Sequence, residues 1–289
     1  MISSTTKVFG LFGDPVIQSL SPLMQNTAFR MLQLDSIYLP FLVPRESLSG
    51  AVNSIRALNL GGVNLTIPHK ERVIPYLDQV DEQAGLIGAV NTIVNRDGAL
   101  CGYNTDASGF LVSLKSAGFN PKGKRAVIMG AGGAARAVAA ALAINGASPI
   151  HICSRSEERG KGLAQELGRS GFTVAAGGYG RHFFELLPKA DLLVNATPVG
   201  SYPNQKEKPA AGGEHLHPGL LVCDLVYNPP QTRLLAEAAA AGCSVLNGVG
   251  MLVHQGALAF QLWTGRKAPV DAMQRVVSDK IDNNNERRR

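Results

Sequence analysis

The sequence predicts an α/β protein of two domains, and three observations carry that prediction. Strand-like and helix-like segments alternate along the chain, one glycine-rich turn opens an alanine-rich helix, and a turn at "NPKGK" (120–124) separates two runs of alternation. A length of 289 residues, 45% apolar and 17% charged, suits a folded chain with a sizeable core.

In the first run, "KVFGLFG" (7–13) reads as a strand. Ser21-Pro22 then reads as an N-cap and a first-turn proline, with Leu23, Ala28 and Met31 to Leu32 near one face of the helix that follows. "IYLPFLV" is the second strand, and a helix from about Glu46 carries Leu48, Val52, Ile55 and Leu58 at helical spacing. "GVNLTI" (62–67) is a third strand stopped by Pro68, and "AVNTIVNRDGALCGYNTD" (89–106) reads as two strands joined at Asp97-Gly98. A helical pattern starts at Asp106 with Phe110, Leu111 and Leu114.

The second run opens with "RAVIMGAGGAARAVAAALAINGASPIHICSRS" (125–156), a strand, a glycine turn, a helix and a strand in the span of one βαβ unit. "FTVAA", "DLLVNAT" and "LLVCDLVY" follow as strands between the helical segments "SEERGKGLAQEL", "RHFFELL" and "QTRLLAEAAAAG". "CSVLNGVGMLVHQGALAFQLWTG" (243–265) is a last strand running into a long helix, expected to pack on the first domain. The expected division is 1–105 completed by 249–289, with 106–248 as the other domain.

The formal charge of +6 includes Arg287, Arg288 and Arg289, and "DNNNERRR" reads as a solvated tail. No basic stripe interleaved with aromatics is present, which argues against nucleic acid; a mild positive bias suits an anionic small molecule. Cys101, Cys153, Cys223 and Cys243 form no C-x-x-C pair and no metal-ligand spacing with the histidines, so no metal site is expected. Buried thiols in a reducing compartment, no leader pattern and no run of 18 apolar residues together predict a cytoplasmic protein without a membrane span. Monomer and homodimer both remain open.

"VIMGAGGAAR" fits G-x-G-x-x-G/A with Gly130, Gly132 and Ala135 in the three slots, following a strand and opening a helix. This predicts a Rossmann dinucleotide-binding domain whose turn and first helical residues, Gly130, Ala131, Gly132, Gly133 and Ala134, meet the pyrophosphate. After the second strand stand Ser154, Arg155 and Ser156 where an NAD site would place an acid. Arg155 and Arg159, one helical turn apart, can bind a 2′-phosphate, which predicts NADP; the alternative is two solvated arginines with Glu157 serving the ribose. Asn195, Ala196 and Thr197 fall at a strand's C-terminal end, where open α/β sheets bind ligands.

Eight segments in order, "SLSP" (19–22), "NLTIPHK" (64–70), "GAVNT" (88–92), "YNTD" (103–106), "GAGGAAR", "NATPVG" (195–200), "DLVYNP" (224–229) and "GVGMLVHQG" (248–256), resemble the motifs of the shikimate dehydrogenase family. The resemblance runs from about residue 9 to 265. It implies NADP-dependent interconversion of 3-dehydroshikimate and shikimate on the route to chorismate and the aromatic amino acids. It also implies an open α/β substrate-binding domain, completed by C-terminal helices, with the active site in a cleft beside the Rossmann domain.

By the same resemblance Lys70 is the general acid/base and Asp106 its partner, which also binds a substrate hydroxyl. Hydride transfer at a secondary alcohol does need a group that exchanges the hydroxyl proton. A carboxylate beside an ammonium favours the charged form, whereas a base must lose its proton; partial burial or a water relay resolves that conflict, and the sequence does not choose. Ser19 and Ser21 would bind the substrate carboxylate, with Ser21 as N-cap an equal reading; Asn64, Thr66, Asn91, Tyr227 and Gln255 would bind substrate as well. On a strand, Asn64 and Thr66 would face the side of Lys70 if alternation continues past Pro68. Asn91 as a turn-stabilising amide, Tyr227 as a packed aromatic and Met251 as helix core are the bland alternatives. Val226, Gly248 and Met251 would line the nicotinamide.

The chain departs from the commonest family pattern at Ser154-Arg155-Ser156, where Asn-Arg-Thr is frequent, and at His69, where Phe or Tyr is frequent. His69 reads as a packed ring or as a neighbour that tunes Lys70. A quinate/shikimate dehydrogenase with relaxed substrate or NAD use and an idle NADP sensor are the competing readings.

Overall fold

The computed structural model describes residues 2–202 and 205–286. The chain divides into two compact units, Met1–Gly109 with Leu252–Lys280, and Phe110–Met251 with residues from Ile281 onward.

In the first unit, β1 (Lys7–Gly13), α1 (Ser21–Met31), β2 (Ser36–Leu42), α2 (Leu48–Ala57), β3 (Gly62–Leu65), β4 (Gln79–Val80), α3 (Glu82–Ile87), β5 (Thr92–Arg96) and β6 (Ala99–Tyr103) precede the start of α4 (Thr105–Ser116). Its sheet has the order β2-β1-β3-β5-β6-β4. The sheet is mixed: β1 pairs in parallel with β2 and β3, whereas β5 runs antiparallel to β3 and β6. The β5–β6 turn has positive φ at both Asp97 (53°) and Gly98 (96°), the two-residue hairpin geometry that the Asp-Gly pair favours. Pro40 lies on the edge strand β2, where a missing N–H disrupts little.

One side of this sheet buries Phe12, Leu48, Val52, Ile55, Val63, Leu65, Ile93 and Leu100. On α1 the buried residues are Ser21, Met24, Gln25, Ala28 and Phe29, whereas Met31 is exposed, so the buried stripe is rotated from the expected face. α1 packs against α9 (Val249–Thr264): Phe29 and Phe260 have ring centroids 5.3 Å apart, and Gln25 donates to the Gly256 carbonyl at 2.9 Å. Trp263, also on α9, stacks on Phe9 at 5.1 Å and donates its indole N–H to the Ile93 carbonyl at 2.9 Å. Phe260 is fully buried, so its loss would cost about 3–5 kcal/mol.

The second unit carries β7 (Ala126–Met129), α5 (Gly133–Ile144), β8 (Ile150–Cys153), α6 (Glu157–Arg169), β9 (Val174–Gly177), α7 (Arg181–Leu186), β10 (Leu192–Asn195), β11 (Leu221–Asp224), α8 (Arg233–Ala240) and β12 (Ser244–Leu246). All strands are parallel in the order β12-β11-β10-β7-β8-β9, so the sheet reverses direction of winding between β7 and β10. That is the doubly wound dinucleotide-binding order, with its ligand crevice at the C-terminal ends beside the switch point. The continuous apolar runs of β7 and β10 are each buried throughout, as a sheet covered on both faces requires.

The expected solvated tail is partly helix: α10 spans Val270–Glu286 and buries Met273, Val277 and Ile281 before its polar end, while Arg287, Arg288 and Arg289 lie outside the described residues. Among the described residues, no helix is long and apolar enough to cross a membrane, and no cluster of metal-ligating side chains occurs. All four cysteines are free and buried.

Candidate active site

Strand register brings the candidate site residues of the first unit to one edge of its sheet. β1 and β3 run in parallel with Phe12 opposite Leu65, so the segment after β1, with Ser19 and Ser21, and the turn after β3, with Thr66 and Lys70, leave at the same edge. β5 begins there, with Thr92 opposite both Asn64 and Tyr103, which places Asn91 and the start of α4 beside them.

β3 itself stops at Leu65. The Thr66 N–H still donates to Phe12, but its carbonyl accepts from His69 at 2.9 Å, so the chain has turned before Lys70. Lys70 is therefore delivered by a turn rather than by the strand, and the alternation that would align it with Asn64 and Thr66 does not extend to it.

Lys70 Nζ donates to Asp106 Oδ2 at 2.6 Å, with side chains only 17% and 7% exposed. Asp106 sits in the first turn of α4, where the helix N-terminus favours a carboxylate. Its other oxygen accepts from Asn91 Nδ2 at 2.9 Å. Asn91 also donates to Thr105 Oγ1 at 2.9 Å and to Gln255 Oε1 at 3.4 Å, while its oxygen accepts the Thr105 N–H at 2.7 Å. Asn104 completes the helix start by accepting the Ala107 N–H at 3.2 Å. Breaking a buried ion pair of this kind costs about 3–5 kcal/mol, because one charge is left uncompensated.

The network continues inward. Asn64 donates to Thr92 Oγ1 at 2.9 Å and to the Asn91 carbonyl at 3.2 Å, and accepts from the Tyr38 hydroxyl at 2.8 Å. Both Asn64 amide hydrogens are thus engaged, leaving a lone pair of Oδ1 as its further capacity. Burial pushes the Tyr38 phenol well above its usual range, so it donates as a neutral hydroxyl. Tyr38, Thr92 and Thr105 were not singled out from the sequence; Tyr38 lies in an apolar strand pattern that gives no sign of a polar partner.

Ser21 is not the N-cap. α1 begins at Ser21, Leu20 is the capping position, and Ser19 Oγ accepts the Ser21 N–H at 3.2 Å. Ser19 therefore carries a turn-stabilising bond that its sequence context did not suggest, and this bond uses its oxygen as acceptor, which leaves the hydroxyl's donor capacity. Thr66 is half-buried beside Gly13, with its methyl against the glycine. Gln255 Nε2 donates back to the Leu252 carbonyl at 2.7 Å, which fixes its amide on α9, and α9 approaches Gly109 so closely that a Cβ there would meet the Gln255 backbone nitrogen at 2.6 Å. His69 is a fully buried ring whose Nε2 lies 2.8 Å from the Val43 carbonyl, which is the packed-ring reading.

In the second unit, the turn after β7 has the features that a pyrophosphate requires. Gly130 has φ of 114° and packs against β10's end, where an added Cβ would lie 3.0 Å from the Ala196 carbonyl oxygen. At Gly132 an added Cβ would meet open space, and Gly132 is the N-cap of the 12-residue α5. The first-turn N–H groups, from Gly133, Ala134 and Ala135, have no intrahelical acceptors, the arrangement that suits an anion at a helix N-terminus. Ala131 links the two glycines, and Ala135 is fully buried in the third small position.

After β8, Arg155, Ser156 and Arg159 are exposed, whereas Ser154 is buried and donates to the Ser156 carbonyl at 2.7 Å. Ser154 thus shapes the turn that presents Arg155. Glu157, the alternative ribose ligand, pairs with Lys161 at 3.4 Å. Ala196, Thr197, Val226 and Tyr227 follow β10 and β11 directly, and Gly248 follows β12. Gly248 donates to the Val226 carbonyl at 3.1 Å, and a side chain there would strike the Leu225 backbone. Met251 is 8% exposed at the start of α9, in the company of other buried residues.

Three family models match the chain: the shikimate dehydrogenase substrate binding domain over residues 11–93, the shikimate/quinate 5-dehydrogenase model over 113–226, and the shikimate 5′-dehydrogenase C-terminal domain over 248–277. The chain is 50% identical over 284 residues to the NADP+ shikimate dehydrogenase of Methanopyrus kandleri, covering 97% of this chain and 98% of the relative. A crystal structure of shikimate dehydrogenase in complex with NADP+ superposes with a TM-score of 0.91 at 42% identity, covering 97% and 98% of the two chains. The Thermus thermophilus shikimate 5-dehydrogenase in complex with NADP(H) and shikimate gives 0.85 at 40% identity, covering 94% and 99%.

Proposed function

Because this chain belongs to the shikimate dehydrogenase family, we propose that it reversibly reduces 3-dehydroshikimate to shikimate with NADPH, in the supply of chorismate. The observation that carries the reading is the buried Lys70–Asp106 pair, anchored by Asn91 at the sheet edge from which the serines and Thr66 also emerge.

NADPH, when bound, supplies the hydride. Lys70 Nζ gives a proton to the carbonyl oxygen as it becomes a hydroxyl, and takes that proton back in the reverse direction. Asp106 holds the lysine nitrogen at 2.6 Å and keeps it aimed, while Asn91 holds Asp106 from the other side. The Ser19 and Ser21 hydroxyls receive the substrate carboxylate. Thr66, Asn64, Asn91, Asp106 and Gln255 share the ring hydroxyls, and Tyr227 completes the substrate contacts.

Gly130 to Ala134 cradle the pyrophosphate, and Arg155 and Arg159 with Ser156 bind the 2′-phosphate by charge-assisted bonds. Ala196, Thr197, Val226, Gly248 and Met251 shape the nicotinamide end. The four buried free thiols suit a reducing, cytoplasmic setting.

The test is the absorbance of reduced nicotinamide with shikimate and NADP+. Turnover with this pair, and much weaker turnover with NAD+ or quinate, is expected. No turnover sinks the reading, and preference for NAD+ or for quinate replaces it with the corresponding dehydrogenase.

A further inference from the structure

Asp224 ends β11 with no exposed surface. Three donors converge on its two oxygens: the Val226 N–H at 3.0 Å and Asn195 Nδ2 at 2.9 Å on Oδ1, and Thr232 Oγ1 at 2.6 Å on Oδ2. Each donor belongs to a different segment at the C-terminal edge of the parallel sheet. Asn195 ends β10, Val226 is in the turn after β11, and Thr232 caps α8 by accepting the Leu235 N–H at 3.3 Å.

The bonds do not stop at Asn195. Its oxygen accepts both the N–H and the hydroxyl of Thr197, at 3.1 and 2.6 Å, and its nitrogen also donates to the Val199 carbonyl at 3.2 Å. Thr197 Oγ1 in turn accepts the Val199 N–H at 3.2 Å. One buried carboxylate therefore ties the turn after β10 to the turn after β11. On the opposite side Val226 is clamped by Gly248, which leaves that segment little freedom once Asp224 holds it.

A carboxylate suits this place because all its neighbours are donors. Burial raises the acid's pKa while the three bonds lower it, so the site retains an acidic group at an energetic cost that an apolar residue would avoid. A cost of that kind at a ligand edge is expected where geometry matters more than stability.

We propose that Asp224 is a positioning residue for the nicotinamide half of the cofactor site, setting Thr197 through Asn195 and Val226 directly. The proposal rests on the NADP reading above. It predicts that loss of the carboxylate harms only the half of the cofactor that meets these turns. The adenosine half carries the 2′-phosphate read by Arg155 and Arg159 after β8, which take no part in the Asp224 bonds.

The test compares Asp224→Asn with the unaltered full-length protein by calorimetric titration with NADP+ and, separately, with 2′,5′-ADP, which carries only the adenosine half. Asp224→Asn is isosteric and removes the charge: the three bonds lose their charge assistance, and the Thr232 hydroxyl must turn from donor to acceptor of the new amide N–H. NADP+ binding should weaken roughly tenfold, as the loss of charge assistance in these bonds implies, while 2′,5′-ADP binding stays within about twofold.

Equal weakening of both ligands would overturn the proposal in favour of a merely structural role, and unchanged NADP+ binding would overturn it outright. Thr232→Val serves if Asp224→Asn does not fold: it removes one donor, the same asymmetry is expected at smaller size, and Thr232→Ser should restore binding. Failure of the unaltered protein to bind NADP+ would instead defeat the cofactor reading and is distinguishable from all of these results.

Discussion

Asn91→Ala is the most informative perturbation of the amide network, because it removes the support of Asp106 without touching Lys70. Asp106 Oδ1 loses its donor at 2.9 Å, worth about 1.5–3 kcal/mol for a bond to a charged group. The Thr105 N–H loses its acceptor at 2.7 Å and stays buried, a further cost of about 1–3 kcal/mol. Together the variant should be about 2.5–6 kcal/mol less stable, a large fraction of a domain's total.

Urea unfolding followed by fluorescence reads this directly. Trp263 is the single tryptophan, and its indole N–H bonds to Ile93 within the same unit. Turnover should fall by about tenfold or more as Asp106 and the lysine it aims drift from alignment, while NADP+ affinity stays within about twofold. A stability loss under about 1 kcal/mol, with turnover within about twofold of the unaltered protein, would refute the claim that Asn91 anchors the pair.

Other outcomes follow from the same geometry. Gly132→Ala meets open space, so it should fold normally and yet raise the KM for NADP+ by about tenfold or more; unchanged KM would show that no phosphate approaches there. Arg155→Ala should weaken NADP+ by about tenfold to a hundredfold and leave NAD+ use unaffected, as competitive kinetics with the two cofactors will reveal. The thiols should resist alkylation in the native protein at neutral pH, since burial removes all four from solvent and pushes Cys153 to about 11 and Cys223 higher still; rapid native labelling of Cys153 would contradict its placement.

Much of the fold was legible because local chemistry agreed with tertiary need. Asp97-Gly98 supplies the two positive φ angles of the hairpin, Gly130 sits at positive φ against the end of β10, and Ala135 is a fully buried small contact. Short elements were not legible: β4 has two residues, and α3 has six, starting at the Asp81 cap and ending at Gly88 with φ of 69°. Neither is long enough to show a period. α10 was missed at its polar end because the pattern there resembles a solvated tail, although Met273, Val277 and Ile281 had already fixed the helix.

At the site, the residue types were readable and their connections were not. Lys70 and Asp106 were paired by resemblance, but the turn that carries Lys70 begins where the Thr66 carbonyl accepts from His69, two residues before Pro68 would have required it on sterics. Ser21 does not cap α1 but begins it, and Ser19, two residues ahead, supplies the local bond by accepting the Ser21 N–H. The Tyr38–Asn64 bond spans 26 positions between strands, and only tertiary structure brings such partners together.

The most direct measurement is the steady-state turnover of Lys70→Ala with shikimate and NADP+, read beside its NADP+ affinity. The account predicts turnover lower by roughly 10²-fold or more with cofactor affinity nearly intact. Near-normal turnover in a folded Lys70→Ala protein would contradict it.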